Sequence, residues 1–167
     1  MKEITENELN YLSSQVGTKL KEKGLSVAAA ESCTGGQLSH ILTGISGSSE
    51  YFIGGVVAYS NRIKEQVLKV SGNTIIKFGA VSQQTAREMA EGIQKKFNTS
   101  IGLSTTGIAG PTGGTPEKPV GLVWIGIQFE NRTHTFKCQF PGDRQAVKSS
   151  TVKAVLTKLH ELLTSSE

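Results

Sequence analysis

The sequence has little cysteine, few aromatic residues and no long hydrophobic run. Its two cysteines, Cys33 and Cys138, are too few for a disulfide scaffold, and their spacing matches no zinc-binding motif. No segment stays apolar over the roughly 20 residues that a membrane span needs, and charged residues interrupt the first two dozen, which excludes a signal peptide. We therefore expect no metal, no membrane association, a cytoplasmic location and a single domain over residues 1–167.

The net charge of +4 is not concentrated in one stretch. Basic residues alternate with acidic ones, as they do from Lys19 to Lys23, so no basic stripe suited to a nucleic-acid backbone is evident. Aromatic residues make up 6% of the chain, which leaves no stacking platform of the kind that single-strand binders use. The charge favours an anionic small molecule as the partner and disfavours nucleic acid.

The chain does contain an alternation of helical and strand patterns. Apolar residues at helical spacing predict helices at about 6–23, from near Thr34, over the segment with Ile63, Val67 and Leu68, from Ser82, and at about 143–164. Short apolar or alternating runs predict strands at 25–31, 52–59, 99–106, 121–129 and 133–140. Residues 71–80 are polar and contain glycine, so we expect a loop there. With a hairpin turn at 130–132, the order predicts an α/β fold: a three-layer α/β/α sandwich with a mixed, mostly parallel sheet.

Polar residues follow three of the predicted strands, at the ends where ligands gather in open α/β sheets. They are Glu31-Ser32, Tyr59-Ser60-Asn61 and Thr105-Thr106-Gly107. Ser32 lies in a turn where a helix beginning near Thr34 would direct unpaired backbone N–H groups at a ligand. Gly35 and Gly36 would let an oxyanion approach the backbone closely. An ordinary strand-to-helix turn with Thr34 as its N-cap explains the same residues.

A serine nucleophile needs a base, and Lys64 is the candidate. The three histidines have no evident position at a strand end: His40, His134 and His160. Lys64 lies about one turn into the helix that follows Tyr59, so both side chains could lean over Ser32. Desolvation, or a neighbouring cation such as Arg62, would lower the pKa of the lysine and make the neutral amine available. An ordinary solvated lysine is the alternative interpretation.

Cys33 is a competing nucleophile, because a thiol beside a helix N-terminus can have a lowered pKa. Adjacent strand residues face opposite ways, however. If Ser32 points at the site, we expect Cys33 to pack beneath it as an inert buried thiol.

A second glycine-rich segment runs from Thr105 to Gly114 and continues to Gly121. It lacks the ending of a Walker loop and leads into a strand, so it does not predict nucleoside-triphosphate binding. Glycines and hydroxyls at a strand end favour a cradle for a ribose and phosphate, and a long surface hairpin is the alternative. Asp143 is a predicted N-cap, which leaves Arg144 free to clamp a phosphate or to remain a surface arginine.

Six motifs, in one order and over nearly the whole chain, resemble the CinA C-terminal domain family. They run from Ala30 to Gly36, Val57 to Lys64, Gly79 to Ser82, Gly107 to Gly114, Lys118 to Gly121 and Gly142 to Arg144. The resemblance is to the family's enzymatic members, the nicotinamide-nucleotide amidohydrolases, in their stand-alone form. It implies an α/β/α homo-oligomer that hydrolyses the carboxamide of nicotinamide mononucleotide, a pyridine nucleotide, to nicotinic acid mononucleotide and ammonia, without a cofactor.

The same resemblance implies a role for each site residue. Ser32 would be the catalytic nucleophile, assisted by Tyr59 and Lys64. Substrate-binding residues would hold the oxyanion and the polar half of the substrate: Cys33, Thr34, Gly35, Gly36, Thr106, Gly107, Ile108, Ala109, Gly110, Gly113, Gly114 and Arg144. A non-catalytic, competence-associated nucleotide-binding module built from the same loops is the alternative, because a fold does not by itself imply an activity.

Overall fold

The computed structural model describes residues 3–165, which form six α-helices and five strands. The helices are α1 Glu6–Lys23, α2 Gln37–Thr43, α3 Asn61–Leu68, α4 Gly72–Phe78, α5 Gln83–Phe97 and α6 Arg144–Ser165. The strands are β1 Val27–Glu31, β2 Phe52–Val57, β3 Ile101–Gly107, β4 Leu122–Phe129 and β5 Arg132–Gln139. Within these residues, no helix is both long enough and apolar enough to cross a bilayer.

The five strands form one mixed sheet in the order β2-β1-β3-β4-β5. β1 lies between β2 and β3 and is parallel to both. β4 is antiparallel to β3 and to β5, so it alone runs against the other four strands. This topology confirms the predicted α/β fold with a mostly parallel sheet, and it brings the carboxyl ends of β2, β1 and β3 to one edge.

Helices cover both faces of the sheet and create two hydrophobic cores. One core joins the sheet to α1, α2 and α6 and contains Leu9, Leu38 and Leu156. The other joins the sheet to α3 and α5 and contains Leu68 and Met89. The three predicted layers are therefore present.

Local sequence signals account for several element boundaries. Thr5 and Glu8 form a capping box at the start of α1, and Gly24 ends that helix in the left-handed conformation. The Ser82 hydroxyl caps α5, as predicted. Glu130 and Asn131 both have positive φ, which is the geometry of a two-residue turn between antiparallel strands.

Two predictions about helices were wrong: one helix was missed, and the start of another was misplaced. The segment 71–80 contains a helix, α4, although none of that helix's residues is buried. The helix after β1 begins at Gln37 rather than near Thr34, with Gly36 at its N-cap. Both differences arise because side chains from elsewhere in the fold cap these short helices, as described below.

Candidate active site

The carboxyl ends of the three parallel strands lie side by side, and the candidate residues follow them directly. Glu31, the last residue of β1, pairs with Val57 of β2 and Thr105 of β3. The Ser32 N–H donates to the Thr105 carbonyl over 2.9 Å, and the Ala58 N–H donates to the Glu31 carbonyl over 2.7 Å. Main-chain bonds therefore fix Ser32 at the edge of the sheet.

Lys64 belongs to α3, which begins shortly after β2 ends. The Ser60 hydroxyl caps this helix by accepting the Ile63 N–H over 3.3 Å. The cap fixes the start of the helix, so that the Lys64 side chain turns back toward the sheet edge, where it is only 2% exposed.

The Lys64 amine has three oxygen neighbours. Its Nζ atom lies 3.0 Å from Ser32 Oγ. It also lies 2.9 Å from the Ala58 carbonyl oxygen and 3.3 Å from the Tyr59 carbonyl oxygen. A protonated amine donates to all three oxygens, and a neutral amine can donate to the two carbonyls while its lone pair accepts the Ser32 O–H.

Burial lowers the pKa of Lys64 below its ordinary value of 10.5. The cause is desolvation, and the predicted alternative, repulsion by Arg62, does not contribute. Among the ion pairs of residues 3–165, none includes Lys64, so no carboxylate holds its proton in place. The site therefore combines a serine hydroxyl with an amine that deprotonates more easily than a surface lysine.

Cys33 packs in the core as expected, with a side chain that is 6% exposed. Burial raises the pKa of its thiol to about 12. Because the thiolate is the reactive form, this cysteine is a poor nucleophile at neutral pH. Of the two adjacent residues, Ser32 is therefore the better nucleophile, because its hydroxyl has a neighbouring amine while the Cys33 thiol stays protonated.

The N-terminus of α2 is occupied by Glu31 and is not open to a ligand, which corrects the sequence-based expectation. The buried Glu31 carboxylate accepts the N–H groups of Gly36, Leu38 and Ser39 over 3.0, 3.0 and 2.8 Å. Gly36, at the N-cap, has a φ of 101° and no side chain with which to cap the helix. Thr34 is not the N-cap, because its hydroxyl is buried 2.7 Å from that of Thr105.

Only part of the Cys33–Gly36 turn can therefore bind an oxyanion. The Gly36 N–H donates to Glu31, and the Gly35 N–H donates to the Ser32 carbonyl over 3.1 Å. The expectation that Gly35 and Gly36 supply oxyanion donors is wrong for this reason. The N–H group of Cys33 makes no hydrogen bond with another described residue, so it remains as a donor, whereas Thr34 is completely buried.

Tyr59 and Arg144 meet at the mouth of the site. The Arg144 guanidinium donates to the Tyr59 hydroxyl and to the Gly110 carbonyl, both over 2.9 Å. Tyr59 contacts Lys64 through its main-chain carbonyl, and its side chain is 60% exposed. The phenol of Tyr59 forms no hydrogen bond with Lys64 or Ser32, so the assisting role that the family resemblance implies for Tyr59 stays a prediction.

A cavity of about 340 Å³ opens above Ser32. The sequence-predicted site residues that line it are Ser32, Cys33, Tyr59, Lys64, Thr106, Gly107, Ile108, Ala109, Gly110, Gly113 and Arg144. Four predicted substrate-binding residues lie outside the lining: Thr34, Gly35, Gly36 and Gly114. Among residues 3–165, no three His, Cys, Asp or Glu side chains are grouped as metal ligands would be.

Sequence reasoning missed four lining residues: Asn61, Ala80, Val81 and Thr112. Asn61 is the first residue of α3, four positions after the end of β2, and Thr112 lies within the glycine-rich loop, so position near a strand end and loop membership were available signals. Ala80 and Val81 reach the cavity because the Thr106 hydroxyl donates to the Ala80 carbonyl over 2.7 Å. That contact joins segments 26 residues apart, so the motif from Gly79 to Ser82 did not by itself show that it reaches the cavity.

Comparisons with known proteins identify the family of the chain and its fold. The family model described as the CinA C-terminal domain matches residues 9–163. A CinA-like protein from Salinibacter ruber is 46% identical over 152 residues, which are 91% of this chain and 37% of that protein. The chain spans about a third of the length of the curated relatives it matches.

Solved structures match over almost their whole length. The competence damage-inducible protein A from Klebsiella pneumoniae has a TM-score of 0.91 and 33% identity, over 93% of this chain and 97% of that one. The competence/damage inducible protein CihA from Agrobacterium tumefaciens has a TM-score of 0.91 and 36% identity, over 98% and 99%.

Proposed function

Because the chain belongs to the CinA C-terminal domain family, we propose that it is an amidohydrolase that converts nicotinamide mononucleotide to nicotinic acid mononucleotide and ammonia. The observation that carries the proposal is the 3.0 Å approach of the buried Lys64 amine to the Ser32 hydroxyl. In such a pair the serine hydroxyl is the nucleophile, and the desolvated lysine amine is the base that removes its proton. Hydrolysis of a carboxamide requires such a pair together with oxyanion donors.

In the proposed acylation step, Ser32 Oγ attacks the carboxamide carbon and its proton passes to the neutral Lys64 amine. The tetrahedral intermediate then collapses, the C–N bond breaks, and Lys64 returns the proton to the leaving nitrogen, which departs as ammonia. Water next attacks the acyl ester, again with Lys64 as base. The acid leaves, and the proton is restored to Ser32.

The oxyanion of the intermediate would bind the N–H group of Cys33, which lines the cavity. The residue after a nucleophile commonly supplies such a donor at a strand-to-helix turn. The Cys33 N–H donates to no other described residue, which supports this assignment. Gly35 and Gly36 then have a conformational role, because both adopt the positive φ that the turn requires.

The ribose and phosphate of the substrate would lie along the loop from Thr106 to Gly113, with Arg144 at the phosphate. An arginine has five N–H donors, and the two contacts with Tyr59 and Gly110 leave the others for an anion. The α2 N-terminus is filled by Glu31, so Arg144 is the better-supported anion contact. A homo-oligomeric state and a cytoplasmic location belong to the proposal as well.

Ammonia release tests the proposed function. Purified protein incubated with nicotinamide mononucleotide should release ammonia and nicotinic acid mononucleotide in equal amounts, and Ser32→Ala should stop the release. Cys33→Ala is the matched control, because it removes the adjacent side chain and should retain activity. Saturable binding of the nucleotide by calorimetry without ammonia release would contradict the proposal and favour a non-catalytic binding module.

A further inference from the structure

Glu31 is a buried carboxylate that the proposed chemistry does not use. Its side chain is completely buried, and its two oxygens accept three backbone N–H groups at the start of α2. Removing a carboxylate from water costs several kcal/mol unless hydrogen bonds replace the lost hydration. The three N–H groups and the positive end of the helix dipole provide that replacement.

The contacts of Glu31 close a ring around the nucleophile turn. Its main chain is fixed in the sheet, where its carbonyl accepts the Ala58 N–H. Its carboxylate is fixed to Gly36, five residues along the chain. The backbone from Ser32 to Gly35 is therefore held at both ends by one residue, and the Gly35 N–H to Ser32 carbonyl bond tightens the turn between them.

This ring determines which N–H groups remain for a ligand. Gly35 and Gly36 donate within the turn, whereas the Cys33 N–H does not donate to another residue of it, and Cys33 lines the cavity. We propose that Glu31 is a positioning residue, which orients the Cys33 N–H group toward the substrate by clamping the start of α2. The proposal rests on the proposed function, because it concerns the oxyanion donor of that reaction.

The clamp requires a carboxylate rather than an amide. All three neighbours of Glu31 are donors, and they use both of its oxygens: Gly36 and Leu38 share one, and Ser39 uses the other. In Glu31→Gln, one oxygen is replaced by an NH₂ group that faces an N–H. At least one donor then loses its acceptor, and the turn relaxes to avoid the repulsion.

The test is a steady-state comparison of wild type with Glu31→Gln on nicotinamide mononucleotide. We expect kcat to fall about 10- to 100-fold, because a displaced oxyanion donor weakens transition-state stabilisation, with KM within about threefold. The pH at which the rate reaches half its plateau, set by Lys64, should not move. Glu8→Gln is the matched control, because Glu8 also accepts a backbone N–H at a helix start, in α1, and kcat should stay within about twofold.

A wild-type kcat in folded Glu31→Gln overturns the proposal, and so does a raised KM with unchanged kcat. Glu31→Asp, which keeps the charge but withdraws it from α2, should reproduce the loss of kcat. If both variants fail to fold, the role of Glu31 is limited to stabilising the fold, and the positioning role is rejected.

A second readout separates this inference from the proposed function. If wild type does not hydrolyse the nucleotide, the proposed function fails, and the rate at which a fluorophosphonate labels Ser32 tests the clamp. That reagent forms a phosphonyl ester with Ser32 Oγ, loses fluoride, and places its oxygen at the oxyanion donor. Labelling of Glu31→Gln at least about tenfold slower than wild type supports the clamp, and equal labelling rejects it.

Discussion

The Arg144 guanidinium donates to the Tyr59 hydroxyl over 2.9 Å, which joins the first turn of α6 to the segment between β2 and α3. The same arginine donates to the Gly110 carbonyl in the glycine-rich loop. Three segments that are distant in the sequence therefore meet at the mouth of the cavity. The phenol oxygen of Tyr59 accepts a hydrogen bond from Arg144 there, while the main-chain carbonyl oxygen of Tyr59 contacts Lys64.

Tyr59→Phe removes the acceptor of Arg144 and leaves the carbonyl contact with Lys64 intact. We expect KM for nicotinamide mononucleotide to rise about 3- to 10-fold with kcat within about twofold, because the arginine loses its orientation at the phosphate. Steady-state kinetics provide the measurement. A tenfold or larger fall in kcat at unchanged KM would instead assign the phenol to proton transfer.

Lys64→Met keeps the buried stem and removes the base. We expect kcat to fall about 10²- to 10⁴-fold, as is typical for loss of general base catalysis. In the proposed mechanism the neutral amine is the active form, so the wild-type rate should fall as the pH drops through the lowered pKa of Lys64. The pH–rate profile of the variant should lack that limb. Lys96→Met, at an exposed lysine of α5, is the control, and an equal loss there would contradict the assignment.

Arg144→Ala tests the phosphate contact by comparing two substrates. We expect KM for nicotinamide mononucleotide to rise about 10- to 100-fold, because a charge-assisted contact is lost. KM for nicotinamide riboside, which lacks the phosphate, should change much less. Equal increases for both substrates would show that Arg144 supports the loop rather than the phosphate.

The Cys33 thiol should resist alkylation in the native protein. Its pKa of about 12 leaves almost no thiolate near neutral pH, and its side chain is buried. Iodoacetamide near neutral pH should therefore leave Cys33 unmodified, as read by peptide mass spectrometry, and should not slow the proposed release of ammonia. Rapid inactivation with modification of Cys33 would contradict the account of the site.

The fold was predictable from the sequence where local signals and packing agree. α1 has a capping box, an apolar face and a terminal glycine, so its predicted bounds match the structure. α4 was missed because contacts distant in sequence stabilise it: the Glu88 carboxylate accepts the Ser71 N–H and the Thr74 hydroxyl, and Lys118 donates to the Phe78 carbonyl. A short helix without buried residues leaves no apolar period to detect.

The proximity of Ser32 and Lys64 followed from strand-end topology, and the structure brings them together. The clamp by Glu31 could not be derived, because capping signals are sought beside a helix start, whereas Glu31 lies on the preceding strand. A carboxylate at the end of a buried strand was the available signal. It identifies an unusual residue but does not specify its partners.

Trapping of the acyl group by hydroxylamine tests the central claim most directly. An ester at Ser32 Oγ partitions between water and hydroxylamine, so wild type and Cys33→Ala should convert nicotinamide mononucleotide partly to its hydroxamate while releasing ammonia. Ser32→Ala should form none. The account is contradicted if ammonia is released without any hydroxamate at saturating hydroxylamine, or if Ser32→Ala still produces the hydroxamate.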